Sequence, residues 1–286
     1  MSRTVASTTA ILSPYIATQV GQVTSYATQA MAGDPDAIHD MRVASRRLKS
    51  VLAVYRRAFT TAEADHLRTE LDWLADSLGQ ARDPEVQRLV LLGIATDQGT
   101  AAALESASVV MTREAQQTLA DALASERYQV LAKELIDLSA QPPWASVAHR
   151  AAPKLVSKAL RKQLQRLETR IDAAQSTSRP DLDERLHTVR KSLKRTRYAL
   201  EASVPLYGAE TKELARRLSL AQDALGDHND LVATRSSAGR WSELTDGGLH
   251  ASVWEALDKR LHESRTHVVR QLIDLRDVTL QAAPSS

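Results

Sequence analysis

Apolar side chains recur at intervals of three and four along almost the whole chain, the period of helices packed on one face. Ile16, Val20, Val23, Ala27 and Ala30 share such a face, which predicts a helix over 13–31. Gly33 and Pro35 end it, and Asp34 or Asp36 can cap a second helix that runs to about Phe59. Leu67, Leu71, Leu74 and Leu78 mark a third, over 61–78. Gly79 interrupts it. Asp83 followed by Pro84 then reads as a new N-cap and first helical residue, with the helix continuing to about Thr96. After a loop at 97–100, an Ala- and Ser-rich stretch leads into a helix over 112–138. Gln141-Pro142-Pro143 closes this half, with Trp144 packed beside the joint.

The second half reads in the same way. A basic helix over 153–174 is followed by a loop at 176–180 and a helix that begins near 186 and runs toward Tyr207, where Pro205 blurs the end. A helix over 210–225 stops at Gly226 and restarts at Asn229 or Asp230. A turn at 246–248 precedes a last amphipathic helix over 250–278.

Two polar patterns ride on this frame. His187, Arg190, Lys194 and Arg197 stand at relative positions 0, 3, 7 and 10. On a helix they fall within a sector of roughly 80° spread over about 15 Å. His39, Arg42, Arg46 and Lys49 repeat the row 148 residues earlier. LGQARD, ending at Asp83, and LGDHND, ending at Asp230, repeat at an offset of 147. Two motifs recurring in order at nearly one spacing point to an internal duplication. The fold expected is all-α, with two pseudo-twofold-related four-helix bundles in one domain over 11–280, halved at 11–140 and 149–280. Bundles packed through equivalent faces would turn both rows into a shared cleft.

Composition agrees with helices. Of 286 residues 43% are hydrophobic but only 4% aromatic, and Phe59 is the single Phe. With no Cys there is no disulfide framework, thiolate metal site or Cys nucleophile. The first residues make a poor signal peptide and no apolar run reaches membrane-spanning length, so a cytoplasmic location is expected. The net charge is only +2, yet residues 150–217 hold 17 Lys or Arg against 8 Asp or Glu. A basic segment in a near-neutral chain suggests a surface for polyanions, or else merely solvated helix faces.

At H-x-x-R-x-x-x-R-R-L-K from His39, H-x-x-R-K-x-x-K-R-x-R-Y from His187, and the two LG-containing segments, the chain resembles the CHAD domain, the conserved-histidine α-helical domain. The resemblance implies two four-helix bundles with a basic surface that binds inorganic polyphosphate, sometimes beside a triphosphate-processing CYTH domain. None is visible in this sequence, so a CYTH-type enzyme would be a separate partner. Polyphosphate granules become the expected cytoplasmic address. Ser50 after Lys49, where the second row has Tyr198 after Arg197, departs from the pattern.

A repeating anion needs periodic cationic donors: Arg as a planar fork, Lys as a mobile point charge, His as one or two N–H groups. Arg56 lies near the first row's sector and could extend it. Lys154, Lys158 and Arg161 share a stripe, with Gln165, expected to form a third wall of the cleft. Arg82 and His228 occupy equivalent loops and are expected at its rim, while Asp83 and Asp230 read as helix caps. A metal site assembled from His39, His187, His228 and Asp83 or Asp230 is the lesser reading, because neither row pairs its His with a ligand at i+4 and the nearby cations repel a divalent ion. No Walker-type loop, HExxH or GxSxG is present, so a binding module without cofactor is expected rather than an enzyme. The alternatives are a nucleic-acid-binding helical protein, disfavoured by the few aromatics, and a metal-dependent polyphosphate-processing accessory domain.

Overall fold

The computed structural model describes residues 6–177, 181–245 and 249–281, with side chains through residue 276. Eleven α-helices are described: α1 (Thr8–Ser25), α2 (Ala27–Met31), α3 (Pro35–Val54), α4 (Thr61–Leu92), α5 (Gln98–Ala124), α6 (Glu126–Ala140), α7 (Ala152–Gln175), α8 (Leu182–Tyr207), α9 (Ala209–Ser236), α10 (Ala238–Leu244) and α11 (Ala251–Gln281). Among the described residues there is no strand, only two isolated bridges, Ser7 with Ala151 and Phe59 with Trp144. The fold is all-α. No described helix is long and apolar enough to cross a membrane. The turn read at 246–248 and the end of the loop at 178–180 lie outside the described residues.

The start of α3 follows from its sequence. Gly33 takes φ 86°, which costs a side-chain-bearing residue strain and which Gly adopts freely. Asp34 then caps the helix, its Oδ1 accepting from the N–H groups of Asp36 and Ala37, both at 2.9 Å. Pro35 fills the first helical position.

Two expected breaks are absent. α4 runs unbroken through Gly79 and Pro84, and α9 through Gly226. Leu78, Ala81, Pro84, Gln87 and Leu91 form one buried stripe in helical phase, so packing carries α4 across both local breakers. Pro84 still removes the hydrogen bond that the Gln80 carbonyl would accept. Asp83 and Asp230 are therefore mid-helix residues, not caps. The helix expected over 112–138 starts at Gln98 and divides at Ser125, whose side chain caps α6 by accepting from the Tyr128 N–H.

α3 packs on α1 and α4; α8 packs on α7 and α9; α11 closes the second set against α7 and α9. The sets join where α3 meets α8 and α4 meets α9. They do not keep separate cores. A single buried cluster contains Leu12, Met41 and Leu74 from the first set together with Leu167, Leu193 and Leu218 from the second. Tyr55, which caps the C-terminus of α3 and is fully buried, donates its hydroxyl to the Ala199 carbonyl of α8 at 2.7 Å. A second, smaller cluster gathers Leu91, Ile94, Leu104, Trp241 and Leu257 where α4, α5, α10 and α11 meet.

Candidate functional site

Because α3 meets α8 and α4 meets α9, the four helices enclose an open cleft of ≈ 410 Å³. Arg42 and Arg46 enter from α3, and His187 and Arg190 from α8. α4 adds Asp76, Gly79, Gln80, Arg82, Asp83 and Gln87, and α9 adds Asn229, Asp230 and Ala233. Residues of both basic rows thus line one cavity. The Arg42 guanidinium lies across Gly79, 3.6 Å from where a Cβ would sit.

The cations here lack counter-ions. Arg42, Arg46 and Arg190 on the lining of the cleft, and Lys194, which with His39 is not part of that lining, make no ion pair within 4.0 Å among the described residues. The Nε atoms of Arg42 and Arg190, which hold matching places in the two rows, are shut from solvent without a hydrogen-bond partner. An enclosed polar atom left this way costs about 1–3 kcal/mol, more for a charged group. Burial, reinforced by Arg46, brings the Arg42 guanidinium down to about 10 despite the pull of Asp83. Burial and then Arg46 also lower Arg190. Lys194 moves furthest: burial first, then Arg190, Arg46 and Arg42, push its ammonium down to about 6, with Asp230 opposing. The Asp83 carboxyl rises because loss of solvent, with help from Asp230, outweighs the attraction of Arg42, Arg46 and Arg190.

The two histidines are held alike but in opposite tautomers. Arg82 donates to Nδ1 of His39, which leaves the Nε2–H of the neutral ring free to donate. At His187, Nδ1–H donates to Oδ1 of Asn229 at 2.6 Å, so Nε2 gains a proton only when the ring is charged. Burial lowers both rings, with Arg82 the next cause at His39 and neighbouring cations adding to it at His187.

Other expected contacts lie elsewhere. Lys49 is paired with Asp72. Arg56 forks onto Asp65 through Nε at 3.1 Å and Nη2 at 2.6 Å, so it does not extend the first row. Arg197 turns to Glu201 at 2.7 Å and to Gln222 at 3.1 Å. Lys154, Lys158 and Arg161 are not a third wall: they line a separate depression of ≈ 600 Å³ on α7, because α4 and α9 occupy the flanks of the cleft. His228 is not on a rim. It is 2% exposed and bonded to Ser264 at 3.2 Å and Asp183 at 3.1 Å, where Arg265 also grips Asp183. Among the described residues no three His, Cys, Asp or Glu side chains are grouped so as to hold a metal ion.

The acids and amides of the wall escaped sequence reading. Asp76, Gln80, Asp83 and Gln87 follow one another at steps of four, three and four residues, through the segment already singled out at 78–83. An unbroken α4 would have placed them on the same face.

The CHAD domain profile matches residues 14–239. The chain belongs to the CHAD family. Two relatives from Mycobacterium tuberculosis, the uncharacterized proteins Rv2226 of strain H37Rv and MT2285 of strain CDC 1551, are each 30% identical over 227 residues. Each alignment covers 77% of this chain but 43% of the relative, so the chain spans under half the length of the curated relatives it matches. Among solved structures it is similar to PptA from Streptomyces chartreusis, with TM-score 0.72 and 22% identity over 97% of this chain and 99% of that one. The CHAD domain from the plant Ricinus communis superposes with TM-score 0.67 and 21% identity, covering 96% and 92%. At such identities these two establish the CHAD fold and nothing finer.

Proposed function

We propose that this CHAD protein binds inorganic polyphosphate in the cleft between α3, α4, α8 and α9 and performs no chemistry on it. The observation that carries this reading is the pair of enclosed, unpartnered Nε atoms on Arg42 and Arg190, set among Arg46 and Lys194 with no ion pair to any of the four. A fold that gathers cations at a cost to itself is preorganised for an anion with many oxygens. A polyphosphate chain supplies them at regular intervals, whereas the Asp76, Asp83 and Asp230 carboxylates lie too far off to pair. His39 can donate Nε2–H while neutral, and His187 joins on taking a proton. The matching His39–Arg82 and His187–Asn229 contacts, one in each half, support descent of the two rows from a duplication. Cytoplasmic polyphosphate granules and a separate CYTH-type triphosphate enzyme are the location and partner that this reading suggests.

Calorimetric titration with long-chain polyphosphate at two salt concentrations tests it. Engagement of four cations, the three cleft arginines Arg42, Arg46 and Arg190 and the neighbouring Lys194, predicts a log–log salt slope of about 3, by analogy with single-stranded nucleic acids. Arg42→Gln with Arg190→Gln should weaken binding at least tenfold with the helical circular dichroism unchanged. Absence of binding, or indifference to that double change, overturns the proposal. Competition that favours DNA or RNA would favour the nucleic-acid reading, and phosphate release with added Mg²⁺ or Mn²⁺ would contradict a purely binding role.

A further inference from the structure

The contact between α3 and α8 has two flanks, and they differ in charge. On the flank facing α1 and α9, Glu201 ties up the cations. It accepts from Arg197 at 2.7 Å, pairs with Arg47 at 3.3 Å and receives the Tyr15 hydroxyl at 3.4 Å. Both guanidiniums also lie against the Tyr198 ring, 4.6 Å and 5.7 Å from its centroid. The two cations there share one carboxylate, which offsets half their charge and holds both side chains in place, although the Arg47 Nε makes no hydrogen bond.

The flank facing α4 and α7 has no such carboxylate at its centre. Arg195 of α8, placed as Arg47 is in the other row, lies among Arg68 of α4 and Arg166 and Arg170 of α7. Lys49, the neighbour from α3, lies within the fields of both Arg195 and Arg46, which links this group to the cleft. Lys49 and Arg68 have acids of their own, Asp72 and Asp65, and Asp65 is shared with Arg56. Arg166, Arg170 and Arg195 form no ion pair within 4.0 Å among the described residues. The Nε of Arg68 is enclosed without a partner. Burial and the three surrounding arginines all press the Arg195 guanidinium below its ordinary value, and burial and Arg166 do the same to Arg170. One turn from Arg166, Lys162 begins the open depression along α7.

We propose that a polyphosphate chain too long for the cleft leaves it on the α7 flank, over Arg195, Arg166 and Arg170, while Glu201 closes the opposite flank. This outer segment rests on the polyphosphate reading of the cleft. It gives a role to the basic face of α7, which the cleft itself does not use, and makes affinity depend on chain length in one direction only. A short oligomer fills the cleft; a longer chain adds the outer arginines.

The test compares tripolyphosphate with long-chain polyphosphate by calorimetry, using the full chain. Arg166→Gln, Arg170→Gln and Arg195→Gln together keep side-chain bulk, and Arg166→Glu alone, on an exposed position, guards against misfolding of the triple variant. The expected result is a long-chain affinity lowered about tenfold or more and a salt slope lower by about 2, from three lost cations. The loss for tripolyphosphate should be several times smaller, and Arg166→Glu should show the same length-dependent loss. Equal losses for both lengths, or no loss with the long chain, overturn the outer segment while the cleft reading stands. Failure of the unaltered protein to bind either ligand removes both.

Discussion

Lys194 offers the most direct measure of what the fold forgoes to hold its cleft. Its ammonium has a pKa near 10.4 in an unfolded chain and about 6 in the folded protein, where burial, Arg190, Arg46 and Arg42 all oppose the charge. Between those values the unfolded chain binds more protons than the native state. Stability of the ligand-free protein therefore rises with pH from about 6 to about 10, and the penalty is complete only below the folded value. The full separation corresponds to about 6 kcal/mol. Solvent screening at a half-buried group reduces the part felt between pH 7 and 10 to about 2 kcal/mol. Lys194→Met keeps the stem and deletes the charge. It should stabilise the ligand-free protein by about 2 kcal/mol at pH 7, or roughly 4–8 °C in Tm, and the gain should shrink toward zero near pH 10. Urea titrations followed by circular dichroism, in low-salt buffer free of phosphate, measure both ends of that window. The same variant should lose the proton uptake that accompanies polyphosphate binding at pH 7, read from calorimetry in buffers of different ionisation enthalpy. Destabilisation by Lys194→Met at pH 7, or an effect of equal size at both pH values, would refute the reasoning.

Three further outcomes follow from named contacts. His228→Ala empties a buried position and removes the hydrogen bonds to Ser264 and Asp183, the latter still held by Arg265, and should cost about 1–3 kcal/mol in denaturant titrations, with polyphosphate affinity of the folded protein unchanged. Gln87→Leu removes the acceptor 2.9 Å from the Trp241 indole N–H. It should lower stability by about 1–3 kcal/mol, visible in thermal unfolding. Asp83→Asn removes an anion that attracts Arg42, Arg46 and Arg190. It should tighten polyphosphate binding several-fold by titration, and because the native surroundings on balance oppose the ionised carboxyl, the ligand-free protein should be no less stable at pH 7; weaker binding would contradict the competition assigned to Asp83.

Much of the helical frame was legible because each helix carries its own amphipathic stripe, and that stripe is a local property. The two rows were legible for the same reason: His187, Arg190 and Lys194 share a face in any helix. Breaks were harder. Gly79 and Pro84 are strong local signals, yet Leu78, Ala81, Gln87 and Leu91 hold α4 in register through them, and only contact with the rest of the fold decides that contest. The α7 stripe failed differently. Its helix and its cations were read correctly, but which flank α7 occupies depends on how whole helices pack, and no spacing encodes that directly. His228 shows the limit for single residues. Its place in the repeated segment suggested a rim, whereas its pairing with Asp183 and Ser264 depends on α8 and α11, distant in sequence.

The same difference between local and tertiary information bears on the asymmetry of the site. Near-repeated rows would give a groove open equally at both flanks, and no feature of either row taken alone says otherwise. One carboxylate changes this. Glu201 stands one turn beyond Arg197, and the corresponding place after Lys49 is Ala53, so the first row has no closing acid of its own. Arg197 and Arg47 are held on one flank by a single negative charge, while Arg195 on the other meets only positive neighbours. A scaffold with two near-repeated rows thus acquires a direction through one carboxylate that only the second row carries. A polyanion threading the cleft would be favoured at one flank and opposed at the other, which a symmetric pair of rows cannot achieve.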